Sequence, residues 1–293
     1  MDAALTAEAL GGTLPPLLVA AERVAATVAQ GVHGRRRTGR GDSFWQYRPF
    51  AEGDAAQRID WRQSARSDRL FVRETEWEAA QTVYLWVADG AGMRWHSASA
   101  PVKRDRATLL TLALASLLLR AGEHVRLLGS APHPASGRHA LSAIAALLGQ
   151  APLEQGRPPE QPLPPQLRMS RHAHVVLMGD FLEPLADIRN AVAYFAGIPV
   201  TGHLLQVIDP AEAELPFRGR VRFEGLGRAE RAGGSILVPR VEDIRSAYHQ
   251  RLADQIAGIA AIAAASGWRA GLHRTDHPPG AALLSLYEAL ADR

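Results

Sequence analysis

Apolar residues fall into two alternating patterns from Gln81 onward. Short continuous runs at Thr82 to Ala88, His124 to Leu128, Ala173 to Met178, Val200 to Ile208 and Trp268 to His273 read as strands. Between them lie stretches with helical spacing: Arg104 to Arg120, Arg138 to Leu148, Leu185 to Phe195, Val241 to Ala265 and Ala281 to Ala291. The clearest is marked by Val241, Ile244, Tyr248, Leu252, Ile256, Ile259 and Ile262. Apolar runs without polar alternation, separated by helices, imply parallel strands buried on both faces, because a parallel pair needs a crossover connection. The expected fold is α/β, a mostly parallel sheet flanked by helices.

The first part of the chain reads differently. Thr13 to Ala29 has early prolines and then Leu14, Leu17, Leu18, Ala21, Val24, Ala25 and Val28 at helical spacing, which predicts an amphipathic helix. A basic, Gly-rich linker follows, and Leu70 to Trp77 alternates like a strand. Within the α/β part, Ala151 to Gln166 is Pro-rich and reads as an extended loop. Glu214 to Gly225 reads as an inserted β-hairpin, with Arg218, Arg220 and Arg222 two apart on one face. The expected division is an N-terminal segment, 1–78, and an α/β domain, 79–293.

Composition narrows the function classes. With 47% hydrophobic and 22% charged residues, the chain is that of an ordinary globular protein with a substantial core. Lys103 is the only lysine, so 32 of the 33 basic residues are arginine, a bias that a GC-rich coding background explains. The net charge is only +3, weak for a nucleic-acid binder. There are no cysteines, which excludes disulfides, thiolate metal sites and a cysteine nucleophile. MDAALTAEALGG lacks the basic start of a secretory signal, and Leu109 to Leu119 is too short to cross a bilayer, which needs about 20 apolar residues. A cytoplasmic location is the expectation.

Gly39 to Trp77 is the most distinctive stretch. It sets Trp45, Trp61 and Trp77 among Arg48, Arg58, Arg62, Arg66, Arg69 and Arg73, with acids at Asp42, Glu52, Asp54, Asp60, Asp68, Glu74 and Glu76. Guanidiniums pair with carboxylates in a fork and stack on aromatic faces, so the block reads as a folded, specific element. Two roles are open: a half-buried ionic and aromatic network, or a docking surface in which Trp45, Arg48, Asp54, Asp60, Trp61, Arg62, Arg66, Arg73, Glu74 and Glu76 make the contacts.

The motifs GRGDSFWQYRPFAEGD, IDWRQSARSD (Ile59 to Asp68) and FVRETEWE (Phe71 to Glu78), followed by TVYLWVAD, resemble the domain of unknown function 58 family. The helix after Lys103 and HRTD (His273 to Asp276) extend the likeness over nearly the whole chain. The resemblance implies a von Willebrand factor A-like fold and association with MoxR-type AAA+ ATPases. It also implies a divalent-cation site of D-x-S-x-S type after the first central strand, completed by a later aspartate. This chain departs from that pattern. In one register the three positions are Ala88, Gly90 and Gly92, and in the other they are Asp89, Ala91 and Met93, with Asp180 as the later aspartate. Neither register supplies a hydroxyl, and Mg2+ prefers an octahedron of oxygens, so the site is expected to be degenerate and the chain to need no cofactor.

The favoured expectation is a non-enzymatic protein-interaction adaptor for such an ATPase. Two alternatives come from other classes. Arg35, Arg36, Arg37 and Arg40 in HGRRRTGRG could bind the phosphates of a nucleic acid. Asp180, His273 and Asp276 could form the acid/base set of a hydrolase, although no nucleophile motif accompanies them.

Overall fold

The computed structural model describes residues 16–32, 44–51, 59–66, 69–75, 80–98, 100–137, 139–149, 162–225 and 234–291. It forms two compact units, Met1–Val32 with Gln81–Arg293, and His33–Ala80.

Helix α1 (Pro16–Val32) buries Leu18, Ala21, Ala25 and Val28, one stripe of its surface. It belongs to the larger unit. The smaller unit pairs β1 (Phe44–Pro49) antiparallel with β2 (Phe71–Thr75), Tyr47 opposite Arg73 and Arg48 opposite Val72. A register shift between Phe44 and Gln46 places Trp45 at an irregularity of the ribbon. Between the strands sits a single helical turn, α2 (Trp61–Ser64). Its start is fixed by Asp60, whose carboxylate accepts from Gln63 N at 2.9 Å. The Ser64 hydroxyl donates to Asp60 O at 2.8 Å and accepts from Phe71 N at 2.9 Å, which ties the turn to β2.

The larger unit carries the parallel sheet. Its strands are β3 (Thr82–Val87), β4 (His124–Leu127), β5 (His174–Gly179), β6 (Thr201–Ile208) and, after an excursion, β9 (Arg269–Arg274). They lie in the order β4-β3-β5-β6-β9, every neighbouring pair parallel. All six residues of β5 are buried, as its unbroken apolar run required.

The connecting helices are α3 (Lys103–Arg120), α4 (Ala140–Gly149), α5 (Leu185–Ala196), the short α6 (Pro210–Glu214), α7 (Val241–Ala265) and α8 (Pro279–Ala291). α3 packs on the sheet and also against α1, α4 and α8, so it is apolar nearly all round and buried from Leu110 to Leu118. α5 packs with α7, which also touches β6 and β9. Helix α1 is pinned to α3 by Glu22, which accepts from Ser116 Oγ at 2.9 Å and pairs with Arg120. Where Trp268 covers β6, a Cβ on Gly202 would lie 1.9 to 2.1 Å from indole carbons, so the ring lies directly on bare backbone. Phe195 stacks beyond it at 6.4 Å.

Several boundaries differ from the sequence reading. Adjacency in sequence groups the N-terminal helix with residues 1–78, yet its apolar stripe packs on α3 and α8, and the smaller unit lies between them in sequence. Strand β1 was not anticipated, because FWQYRP lacks period-two alternation. The stretch Glu214 to Gly225 is not itself a hairpin: Glu214 ends α6, and its one strand, β7 (Val221–Glu224), pairs with the more distant β8 (Ser235–Val238). Of the Pro-rich stretch, only Pro162 to Gln166 is described, and it has no regular structure.

Candidate functional site

Four strands of the sheet run into an aspartate: VAD after β3, MGD after β5, VID after β6 and RTD after β9, giving Asp89, Asp180, Asp209 and Asp276. The strand order reverses between β3 and β5, since β3 leads to β4 on one side and β5 leads to β6 and β9 on the other. In α/β sheets the crevice beyond the strand ends at such a reversal is the usual ligand position.

Here that position is held by a lysine. Lys103, the first residue of α3, is fully buried, with Nζ 3.2 Å from Asp180 Oδ2 and paired on its other side with Glu212 Oε1. Both carboxylates are held in turn. Glu212 is the third residue of α6 and accepts from Asp209 N at 2.8 Å, while Asp209 accepts from Ala211 N at 2.7 Å and Ser97 N at 2.9 Å. This reciprocal cap fixes the Glu212 side chain. The Tyr248 hydroxyl donates to Glu212 O at 2.6 Å, and Gln206 Nε2 donates to Asp180 O at 2.9 Å. Burial raises the Glu212 carboxyl above its ordinary range, and the neighbouring ammonium is the main influence that lowers it.

The other acids of this edge are engaged as well. Asp89 receives Arg94 Nη2 at 2.8 Å and Arg104 Nε at 3.0 Å. Asp276 is gripped by Arg274 through Nε at 3.1 Å and Nη2 at 2.8 Å. His273 faces Arg106, whose Nη1 lies 3.4 Å from its Nε2 and donates to His277 O at 2.7 Å. An arginine can only donate, so this His273 nitrogen is the acceptor of a neutral ring. Asp180, His273 and Asp276 are therefore each directed at a separate cation, and among the described residues no hydrogen bond joins them into an acid/base set.

The residues do not fit a divalent cation. Ala88, Gly90 and Gly92 bring no side-chain oxygen, and in the other register Ala91 and Met93 bring none either. A Cβ on Gly92 would stand 2.3 Å from Asp180 Oδ2, so the carboxylate fills the space that a serine there would need. Among the described residues no group of three or more His, Asp or Glu is placed to hold a metal.

Three groups, two buried and one partly buried, contribute to a pH dependence. Burial, with help from Arg269, lowers His203 to about 4, and burial, with Arg106 and His277, lowers His273 to about 4 against the pull of Asp276. Burial raises Glu183 to about 7, aided by Asp180 and Asp187 and opposed by its own backbone hydrogen bond and Lys103. An unfolded histidine takes its proton near the ordinary 6.5, so both histidines cost stability as pH falls from about 6.5 to about 4. Glu183 acts oppositely, costing stability as pH rises from its ordinary 4.5 to about 7. Between about 4.5 and 6.5 these three groups give the unfolded chain a net excess of about one proton, a contribution by which stability rises with pH, and the raised Glu212 carboxyl opposes it. Denaturant melts across pH 4 to 8 check this, and a His203→Gln variant should flatten the acid limb.

In the smaller unit, Trp61 is 65% exposed, and Arg62 and Arg66 beside it are exposed too. Asp60 caps the turn that presents them. Trp45, Arg48, Arg73 and Glu74 sit on the β1–β2 ribbon, whereas Asp54, Glu76, Trp77 and the arginines Arg35, Arg36, Arg37 and Arg40 lie outside the described residues. The structure thus brings Trp61, Arg62 and Arg66 of the signature to the surface. Sequence reasoning missed Lys103 and Glu212 as site residues. A signal for the first was present, since it is the only lysine of the chain.

A five-stranded parallel sheet with helices on both sides, ending in acids where its strand order reverses, defines a Rossmann-like α/β fold of the kind that the von Willebrand A-like resemblance implied. The chain belongs to the family described as protein of unknown function DUF58, whose profile matches residues 46–258. No curated protein matches it. Solved structures similar to it include an aerotolerance-related membrane protein from Bacteroides fragilis NCTC 9343 carrying multiple mutations to serines. That likeness has 15% identity and a TM-score of 0.40, over 73% of this chain and 100% of that one. The conserved hypothetical protein BatB from Bacteroides thetaiotaomicron shows 13% identity and a TM-score of 0.40, over 73% and 98% respectively. No helix among the described residues is long and apolar enough to cross a membrane.

Proposed function

We propose that this protein is a cytoplasmic, non-enzymatic adaptor that docks a MoxR-type AAA+ ATPase in protein remodelling or maturation, with Trp61, Arg62 and Arg66 at the docking face. The observation that carries this reading is the 65% exposure of Trp61 on a turn held by the Asp60 cap and the Ser64 hydroxyl. A large aromatic left in water on a rigid element gains nothing for the fold, whereas Trp flanked by Arg is the composition of interface anchors. The cations of the carboxyl edge support a non-catalytic role, because Asp89, Asp180 and Asp276 there are each engaged by an internal cation.

Trp61→Ala is the direct test. Stability should change by no more than about 0.5 kcal/mol, as for an exposed site without packing. Affinity for the ATPase should fall by about 30-fold or more, the loss of an anchor worth about 2 kcal/mol. Affinity purification from native lysate with the wild-type chain and the variant, followed by mass spectrometry and titration of the captured ATPase, reads both quantities. Absence of any AAA+ protein from the wild-type eluate, or equal capture by the variant, would sink the proposal.

A further inference from the structure

We infer that the Lys103 ammonium is a built-in counterion that takes the place of a mobile cation at the carboxyl edge of the sheet, and that removing it converts the Asp180 and Glu212 pair into a divalent-cation site. Three observations lead there. The first is identity: arginine supplies 32 of the 33 basic residues, and among the described residues the single lysine is the one Lys or Arg side chain buried completely. A planar guanidinium needs a wide fork of acceptors, whereas an ammonium is a compact charge with three donors that suits a small enclosed space.

The second is geometry. One nitrogen stands between Asp180 Oδ2, at 3.2 Å, and Glu212 Oε1, so two carboxylate oxygens from different strand ends converge on one point. Removing the ammonium leaves room there for an ion and its waters, and hard divalent ions seek such oxygen pairs. The third is the notch at Gly92. A Cβ at that residue would collide with Asp180 Oδ2 at 2.3 Å, so the loop after β3 leaves the carboxylate free to turn toward the lysine. The ends of β5 and β6 are thereby joined through a charge that belongs to the chain. A partner approaching this edge meets neutralised carboxylates and no ion with open coordination positions.

The test uses the full chain and Mn2+ as the probe. The wild-type protein should show no calorimetric Mn2+ or Mg2+ binding at this edge and no change of melting temperature with either ion or with chelator. Lys103→Ala should bind Mn2+, seen in its electron paramagnetic resonance spectrum, and should melt higher with millimolar Mn2+ than without. Adding Asp180→Asn and Glu212→Gln to that variant should abolish both responses. If Lys103→Ala does not fold alone, refolding with and without Mn2+ gives the same reading: recovery only with the ion supports the inference, and no difference overturns it. Wild-type Mn2+ binding that Asp180→Ala removes, or a folded Lys103→Ala indifferent to Mn2+, also overturns it.

Discussion

Lys103→Met is expected to cost about 3–5 kcal/mol of folding stability, the range for removing one partner from a buried charge cluster. The methionine fills a similar volume, so the loss is electrostatic. Asp180 is 4% exposed, which keeps its carboxylate from water, and Glu212 cannot turn outward without breaking its bond to Asp209 N in the α6 cap. For a domain of this size, that is a fall in melting temperature on the order of 10 °C. The variant carrying Lys103→Met, Asp180→Asn and Glu212→Gln together should recover much of the loss, because it leaves no uncompensated charge buried. Thermal and urea melts of the two variants measure the difference. A single variant as stable as the wild type would show that the ammonium does not neutralise this edge.

Gly202→Ala should cost about 3 kcal/mol, at the upper end for inserting one methyl group into a packed core. The new Cβ would come within 1.9 to 2.1 Å of three indole carbons of Trp268. Strand β6 cannot retreat, since Gly202 lies opposite Val175 of β5 and the next residues are paired with β9. The indole cannot move easily either, being 4% exposed and stacked on Phe195. Combining Gly202→Ala with Trp268→Leu should be less damaging than the sum of the two changes, and a double-mutant cycle gives that coupling directly. Additive losses would show that ring and backbone are not packed as described.

Much of this architecture was legible. Strands β5 and β6 appear as nearly unbroken apolar runs because they are buried on both faces, while the edge strands β4 and β9 carry polar residues yet still stand out between helices, and α7 announces itself through an isoleucine stride. Strand ends were legible as acids: Asp89 and Asp180 each close an apolar run. The cation that answers Asp180 was not. A charge at the first residue of an apolar helix reads as a solvated helix end, and only the tertiary approach of α3 to α6 buries it. Glu212 is hidden for a similar reason, lying in a five-residue helix with no apolar period. The role of the tryptophan block stayed open in the sequence because aromatic content does not distinguish inside from outside; the structure puts Trp61 outside. The N-terminal helix was grouped by adjacency, whereas Leu18, Ala21, Ala25 and Val28 join the core built around α3.

The β7–β8 ribbon has a consequence for behaviour at high protein concentration. Among the described residues it pairs with no third strand, and it exposes Ile236 at 69% and Leu237 at 43%. Such a bare apolar edge is a template on which another chain could add a strand. Arg222 stands opposite Leu237 in the register, and Arg218 and Arg220 precede it, all three exposed. A second copy approaching edge to edge would bring its own guanidiniums against these, so like-charge repulsion opposes self-assembly through the ribbon.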